Sequence, residues 1–435
     1  MPELKISSFA HMFDVNGKKV MVSNLTRGIC VIDEDTVSLI STPAFSDTSL
    51  PDEVHKGDER TAKIIGELYR NGVLVDKNVD EFELMRKRLE ILKTLRKMSS
   101  YTFVLTYDCN LRCTYCYEEK SSLYMDWQTA HAITDFVIDR TIKRKDDKID
   151  VMFYGGEPLL NRVLIEKILG YLEKELPRHD IQFTTGIITN GTLLSKEVVE
   201  LLQRYHCRFI QITVDGPQEV HNRRRPTISG KGSFGAVIKG ILNAVEKVPV
   251  HIRVNVDQNN FDDVPKLIDY FCSLGLNEKK GVTVDLARVT ATSEADKHYH
   301  GYCIDPRLYD EKILVHQRLL KQKGLYPRSN AFKAYLFCGA YTERQLIIDC
   351  IGDIYTCLGG LRRKEFTVGN VFNEPPFYSN YKLWSGRSPL LFPQCRSCNI
   401  ITFCGSGCAD EAFARYGSFD TVVCPPIRNS FEKLV

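Results

Sequence analysis

YTFVLTYDCNLRCTYC, residues 101–116, runs a strand-forming segment straight into three cysteines. Aromatic and β-branched residues dominate its first seven positions, the composition of a buried strand. Cys109, Cys113 and Cys116 fall in the loop that leaves this strand, and the next cysteine is Cys207. A structural zinc site is closed by four protein ligands, usually arriving as two close pairs. A lone triplet is an incomplete shell, which predicts that something other than the protein completes it.

The same alternation continues toward the C-terminus. DVMFYGG, QFTTGIITN, RFIQITVDG, VHIRVNV and GVTVDLA read as further strands, separated by helical patterns that begin near Trp127, Val163, Lys196, Phe234 and Val264. Six βα units predict an α/β fold with a parallel sheet. Periodicity leaves an open doubly wound sheet and a partial barrel both available, and each puts ligand-binding residues just after its strands. Toward the N-terminus, residues 9–33 alternate in short bursts, with turns at Asn16-Gly17 and near residues 26–28, and predict three small strands. TAKIIGELYRNG predicts a helix stopped at Gly72. Phe82, Met85, Leu89 and Leu92 recur at helical spacing, the packing stripe of a linking helix. Beyond a helix near residues 311–321 the pattern breaks into short, cysteine-laden segments. The expected division is an N-terminal module (1–78), a linking helix (79–100), the βα region (101–325) and a cysteine-rich C-terminal domain (326–435).

The 435 residues, 43% of them hydrophobic, suffice for two or three domains with a sizeable core. Lys and Arg number 58 against 55 Asp and Glu, a net charge of +3. That balance argues against nucleic acid or an anionic membrane as the main partner. The opening MPELKISSFAHMF lacks a basic stretch followed by an apolar one, and no apolar run reaches the roughly 18 residues of a spanning helix. A soluble cytoplasmic protein is expected. Fifteen cysteines in a reducing compartment point to ligation rather than to disulfides.

The spacing Cys109-x3-Cys113-x2-Cys116, with Tyr115 before the last cysteine, resembles the signature of the radical S-adenosylmethionine superfamily. The resemblance implies a partial (β/α)6 TIM-like barrel in which the three thiolates hold a 4Fe-4S cluster with one free iron. In that superfamily S-adenosylmethionine binds the free iron, and the resemblance implies that its reductive cleavage here would yield a 5′-deoxyadenosyl radical that takes hydrogen from a substrate. YGGEP, residues 154–158, resembles the superfamily's glycine-rich methionine-binding motif. Gly155 and Gly156 would let backbone approach the cofactor, and Glu157 would steady the loop or the amino group. TNGTLL (189–194), which contains Asn190, and QITVDGPQEVHNRRRP (211–226) stand where peptide-modifying members have comparable segments. Within them the resemblance assigns Thr213 to the ribose and Arg225 to the cofactor carboxylate, with Tyr115 and Gly156 on the adenine and methionine sides. Asp215 is expected to brace its loop, His221 to stabilise a turn, and Arg223 and Arg224 to be solvated surface charges.

Seven further cysteines form a pattern: Cys338, then Gly352 and Cys357, then Cys395-x2-Cys398-x5-Cys404-x3-Cys408, then Cys424. Taken alone, Cys395, Cys398, Cys404 and Cys408 also suit a zinc module. The whole pattern resembles the SPASM extension of enzymes that modify peptides and proteins. It implies two auxiliary 4Fe-4S clusters with interleaved ligands, Cys395, Cys398, Cys404 and Cys424 for the outer and Cys338, Cys357 and Cys408 for the inner. IIDCIGDIYTC would be a hairpin turning near Gly352-Asp353 and presenting Cys357. The chain departs from the pattern at two positions. Phe332 stands where fully ligated members have another cysteine, and Leu358 stands where sulfatase-maturating members carry an aspartate proposed as the base. Cys350 or Cys303 could close the inner shell, while Cys30, Cys207 and Cys272 are expected to be small buried hydrophobes.

The N-terminal module resembles the winged-helix peptide-recognition element of ribosomal-peptide (RiPP) maturases, which takes a leader peptide as an added strand. The combined resemblance implies a maturase of the thioether-forming sactipeptide or ranthipeptide type. It would carry three 4Fe-4S clusters and S-adenosylmethionine, draw electrons from a donor such as flavodoxin or ferredoxin, and join a cysteine sulfur to a carbon of a ribosomally made precursor peptide. Carbon–carbon cross-linking and oxidation of the anaerobic sulfatase-maturating type are the enzymatic alternatives. A zinc-stabilised peptide-binding protein is the non-enzymatic one.

Overall fold

All six expected strands form, and their order selects the architecture. The computed structural model describes residues 3–15, 17–40, 59–94, 97–326, 338–396 and 398–424. In the N-terminal part lie β1 (Leu4–Ile6), β2 (Ala10–Val15), β3 (Lys18–Ser23), β4 (Ile29–Ile32) and β5 (Leu74–Asp76). The βα region carries β6 (Met98–Val104), β7 (Lys148–Tyr154), β8 (Gln182–Thr189), β9 (Cys207–Thr213), β10 (Val250–Val256) and β11 (Val282–Arg288). The C-terminal part adds β12 (Gln345–Ile348), β13 (Asp353–Tyr355) and β14 (Gly369–Asn370).

β6 to β11 pair in parallel, each with the next in sequence. The order never reverses, so there is no switch point of the kind a doubly wound sheet requires. The result is a mostly parallel sheet in which the strands of the βα region stand in sequence order. Helix Trp127–Arg144 shows how sequence sets the crossovers: the Asp126 side chain accepts from Thr129 N at 2.7 Å to start it, and Lys145 ends it in the left-handed conformation. β7 is buried on both faces from Ile149 to Tyr154, as a central parallel strand should be. β10 instead alternates. Val250, Ile252, Val254 and Val256 pack into the core, while His251, Arg253 and Asn255 on the opposite face are only half-buried. Burying each large apolar side chain contributes about 1.5–3 kcal/mol.

The sheet does not stop at the βα region. β12 pairs in parallel with β6, and β13 folds back on β12 as the expected hairpin, with Gly352 at φ +84° in its turn. Nine strands therefore run in the order β11-β10-β9-β8-β7-β6-β12-β13-β14. β6 begins at Met98, so residues 98–100 belong to this sheet and not to the linking helix, which spans Glu81–Thr94.

The N-terminal part holds the three expected strands as an antiparallel sheet, β2-β3-β4, with Gly17 at φ +73° in the first hairpin; Asn16 lies outside the described residues. A second pairing, β1 with β5, joins segments seventy residues apart. Neither three-residue strand carries a detectable alternation, which is why sequence periodicity passes over them. Phe9 and Leu25 pack with Met85 and Leu89 of the linking helix against Leu390, Phe392, Cys395 and Ile401. Phe13 and Val22 pack against Ile400 and Cys398. Asn24 Nδ2 donates to Asn399 O at 2.9 Å. The N-terminal module is thus cemented to the C-terminal cysteine segment. Among the described residues no helix is long and apolar enough to cross a membrane.

Candidate functional site

The cysteine loop after β6 is stitched to its neighbours by backbone contacts. Gly156 N donates to Thr106 O at 3.0 Å and Glu157 N to Asp108 O at 2.9 Å. A Cβ at Gly155 (φ +144°) would stand 2.3 Å from Thr106 O, and one at Gly156 2.1 Å from Asp108 O. The two glycines therefore admit the cysteine loop itself to close approach. On the other side Arg112 N donates to Pro226 O at 2.8 Å and Thr114 N to Arg224 O at 3.0 Å.

Glu157 is fully buried and acts as a brace. Its carboxylate accepts from Leu159 N (3.0 Å), Thr189 Oγ1 (2.7 Å) and Asn190 N (2.7 Å), tying the loop after β7 to the loop after β8. Burial raises its pKa despite these bonds. Of the two roles expected for it, steadying the loop is the one its contacts support; it does not line the cavity described next.

A cavity of about 500 Å³ opens at the C-terminal ends of β6 to β11, lined by all three loop cysteines, Tyr115, Gly155, Gly156, Asn190, Thr213 and Arg225. Six of the seven expected cofactor-contacting residues and the whole triplet thus share one cavity wall; Glu157 stands behind it. Tyr115 OH donates to Asp215 and accepts from Arg225 Nη1 (2.6 Å) and Asn255 Nδ2 (3.1 Å). Asp215, fully buried, also accepts from Asn255 N at 3.0 Å and lies 3.8 Å from both Arg224 and Arg225. It braces the loop as expected. So does His221: its Nδ1 accepts from Asp215 N at 3.3 Å, which puts the proton on Nε2, 3.1 Å from Ser233 Oγ. Burial, then Arg225 and Arg224, push its pKa down to about 3, so the ring stays neutral.

Arg224 corrects the sequence expectation. Arg223 is exposed, but Arg224 is only 2% exposed. It pairs with Asp257 at 2.7 Å and lies over the Tyr115 ring at 4.9 Å. A run of three arginines reads as solvated surface unless buried carboxylates are available, and here Asp215 and Asp257 come from two separate strand ends to supply them.

The residues present fit a cluster with S-adenosylmethionine. Asn190 Nδ2 stands 3.7 Å and Leu111 N 3.5 Å from Cys109 Sγ, the kind of donors that tune cluster sulfur. Burial, with the Cys116 and Cys109 thiols adding to it and Arg225 opposing, pushes the Cys113 thiol up to about 12, so ligation must release its proton. Buried Arg225 keeps an Nε without a hydrogen-bond partner among the described residues, a vacancy suited to an anion. Among the described residues no three His, Cys, Asp or Glu side chains converge on a single metal ion. The three loop thiols line one cavity.

Burial and the neighbouring Cys404, Cys398 and Cys424 thiols push Cys395 up to about 11, and these four cysteines line one small cavity with Ile400 and Ile401. Burial raises Cys357 too, with Cys408 and Cys338 among the negative neighbours. Cys350 sits in the main core, 4.0 Å from Leu123 O, and Cys303 lies 3.7 Å from Tyr299 O. Cys207 and Cys272 pack against the main core and Cys30 against the N-terminal one, each partly buried. Phe332 lies outside the described residues. Leu358 lines the large cavity beside Gly359 and Asp410. Asp410 is bonded by Arg363 (2.6 Å) and Thr292 (2.9 Å).

Sequence reasoning missed the charged cavity residues Glu118, Lys120, Arg253, Arg288 and Asp410. Glu118 and Lys120, paired at 3.3 Å, closely follow the triplet. Arg253 and Asp410 reach the same cavity from β10 and from the helix after Cys408. The signal for Arg253 was present: a polar residue at every second position of VHIRVNV marks one strand face as facing something other than core.

These features define an α/β protein with a thiol-lined ligand cavity at its strand ends. Residues 103–271 match the Radical SAM superfamily, so the chain carries a radical SAM domain and is an enzyme. The superfamily uses a 4Fe-4S cluster and S-adenosylmethionine. The radical SAM cyclopropyl synthase TigE of Paramaledivibacter caminithermalis is 23% identical over 431 residues, covering 90% of this chain and 86% of TigE. Native anSMEcpe with bound AdoMet and Cp18Cys peptide has a TM-score of 0.63 at 19% identity, over 78% of this chain and 95% of the other. SuiB of Streptococcus suis bound to precursor peptide SuiA has a TM-score of 0.53 at 13% identity, over 96% and 98% of the two chains. At these identities the two structures establish a likeness of fold.

Proposed function

We propose that this protein is a radical SAM maturase of a ribosomally synthesised precursor peptide, and that it forms a thioether between a cysteine sulfur and a carbon. The observation that carries the reading is the position of the large cavity, which has the Cys109–Cys113–Cys116 triplet on one side and Leu358 and Asp410, neighbours of Cys357 and Cys408, on the other. A peptide held between them meets both cysteine groups. Cluster and S-adenosylmethionine, held by the triplet and by Tyr115, Gly155, Gly156, Asn190, Thr213 and Arg225, supply one-electron hydrogen abstraction. Cys395, Cys398, Cys404 and Cys424 hold an outer auxiliary cluster in a SPASM domain. Cys338, Cys357 and Cys408 hold an inner one, and a set of three protein thiolates leaves a position that favours a substrate thiolate.

The chain's own residues supply positioning. The Tyr115–Asp215–Arg225–Asn255 network fixes one wall, and the Glu157 brace fixes the loops that meet it. Residues 1–78 act as a winged-helix-like recognition element, adding the leader as a strand to the β2-β3-β4 sheet. The coverage of TigE and of SuiB, a protein with a precursor peptide bound, extends over this module and supports a peptide substrate. The electron donor is a small reductant protein such as flavodoxin or ferredoxin.

A second reading, carbon–carbon cross-linking, is favoured by one observation: TigE is named a cyclopropyl synthase. One experiment tests both. The reconstituted enzyme is incubated anaerobically with S-adenosylmethionine, a reductant and the cysteine-containing peptide encoded by the short reading frame nearest its gene. A product lighter by two hydrogens whose cysteine resists iodoacetamide is the expected result. The same mass loss with an alkylatable cysteine selects carbon–carbon coupling, and an unmodified peptide removes both readings.

A further inference from the structure

Among the described residues, one cation lining the large cavity has no ion-pair partner. Four cationic side chains line it: Lys120, Arg225, Arg253 and Arg288. Lys120 has Glu118 at 3.3 Å, Arg288 has Glu411 at 2.9 Å, and Arg225 has Asp215 at 3.8 Å. Arg253 has no ion-pair partner among the described residues. Its Nε donates to Asn255 Oδ1 at 2.8 Å, and Asn255 is itself fixed by Tyr115 OH and Asp215. The stem is anchored, and the two terminal nitrogens make no hydrogen bond among the described residues. A planar guanidinium held by Nε alone presents a fork that matches a carboxylate. Its register neighbours across the sheet are Thr213 on β9 and Asp285 on β11.

S-adenosylmethionine brings one carboxylate, and Arg225, buried beside Cys113, is the proposed receiver for it. That leaves Arg253, one strand further along the cavity wall, without an anion among the described residues, in a partly enclosed site where an uncompensated charge is costly. We propose that Arg253 anchors a carboxylate of the substrate peptide, so that the enzyme selects an acidic group close to the modified residue. The inference rests on the peptide-maturase reading and names the substrate chemistry of that same site. An aspartate or glutamate side chain and a peptide C-terminus share this chemistry, and the test separates them.

The holoenzyme, saturated with S-adenosylmethionine under anaerobic conditions, is titrated with synthetic Ac-Gly-Cys-Gly-Xaa-Gly-Gly-NH2 peptides in which Xaa is Asp, Glu, Asn or Gln, and with the Asn peptide as its free C-terminal acid. Binding is read by saturation-transfer NMR. Asp or Glu peptides binding about tenfold more tightly than their amides assign the anchor to a side chain, and a preference confined to the free acid assigns it to the C-terminus. In Arg253→Gln this preference disappears while affinity for S-adenosylmethionine stays within about twofold; Arg253→Lys keeps part of the preference and guards against misfolding. Equal binding of acid and amide peptides to the wild type overturns the proposal, as it would if Asp285 satisfied Arg253 internally. A tenfold loss of S-adenosylmethionine affinity in Arg253→Gln overturns it too, because Arg253 would then serve the cofactor. If no peptide binds the wild type in any form, the maturase reading falls first and the anchor with it.

Discussion

Two cysteine-rich regions of this molecule are organised by different means. The loop carrying Cys109, Cys113 and Cys116 is held from both sides by backbone hydrogen bonds, by glycines that permit contact at bonding distance, and by a buried network of Glu157, Asp215, Tyr115 and two arginines. Among its described residues, the segment carrying Cys395 to Cys424 has only short helices, Pro393–Arg396, Ile401–Cys404 and Ala409–Tyr416. Part of its packing comes from Phe9, Phe13, Val22 and Leu25 of the N-terminal module, and part from the main core through Ala409, Phe413 and Phe419. The first site is preorganised by the protein's own hydrogen bonds. The second takes part of its packing from a neighbouring module.

The contrast can be broken most decisively at the triplet. Cys113→Ala is expected to abolish 5′-deoxyadenosine formation after anaerobic reconstitution while leaving the thermal unfolding profile of the apoprotein nearly unchanged, because the loop is held by other contacts. Retained cleavage would remove the radical reading altogether. Gly156→Ala comes next. Its methyl would have to share space with Asp108 O, so the loops must part, at a cost of about 3 kcal/mol in urea unfolding and with loss of iron from the triplet.

The dependence of the second region on its neighbour is tested by Ile400→Ala. Ile400 is 4% exposed between Phe13, Val22 and Cys398, and its truncation is expected to cost about 2–4 kcal/mol. Limited proteolysis should release the N-terminal module sooner, and iron should be lost from the C-terminal sites ahead of the triplet. Equal loss from both would mean the two regions are not independently held.

The smallest effect lies at the seam between them. Burial holds the Asp349 carboxyl at about 6 although Tyr107 OH donates to it at 2.8 Å. The ordinary aspartate value is about 4, so the folded chain keeps a proton that the unfolded chain has released. The resulting stabilisation is present in full below about pH 4 and is lost as pH rises through 6. Between pH 5 and 7 this amounts to about 1 kcal/mol, measurable as a shift in urea midpoint that Asp349→Asn removes.

Taken by itself, the sequence determined what local pattern can encode. Six strand-and-helix alternations and the turn at Gly352 follow from periodicity and turn chemistry over a few residues at a time, whereas the sorting of the C-terminal cysteines into sets rests on the family resemblance. The glycines of YGGEP were legible as a site of close approach, but only the tertiary structure decided that the partner is the cysteine loop. The pairing of β1 with β5, the burial of Arg224 between Asp215 and Asp257, the arrival of Arg253 and Asp410 in one cavity, and the seating of the N-terminal module on Ile400 join residues tens to hundreds of positions apart. Such contacts leave no local mark, because a buried charge and a surface charge share the same short-range sequence and differ only in what the rest of the chain brings to meet them.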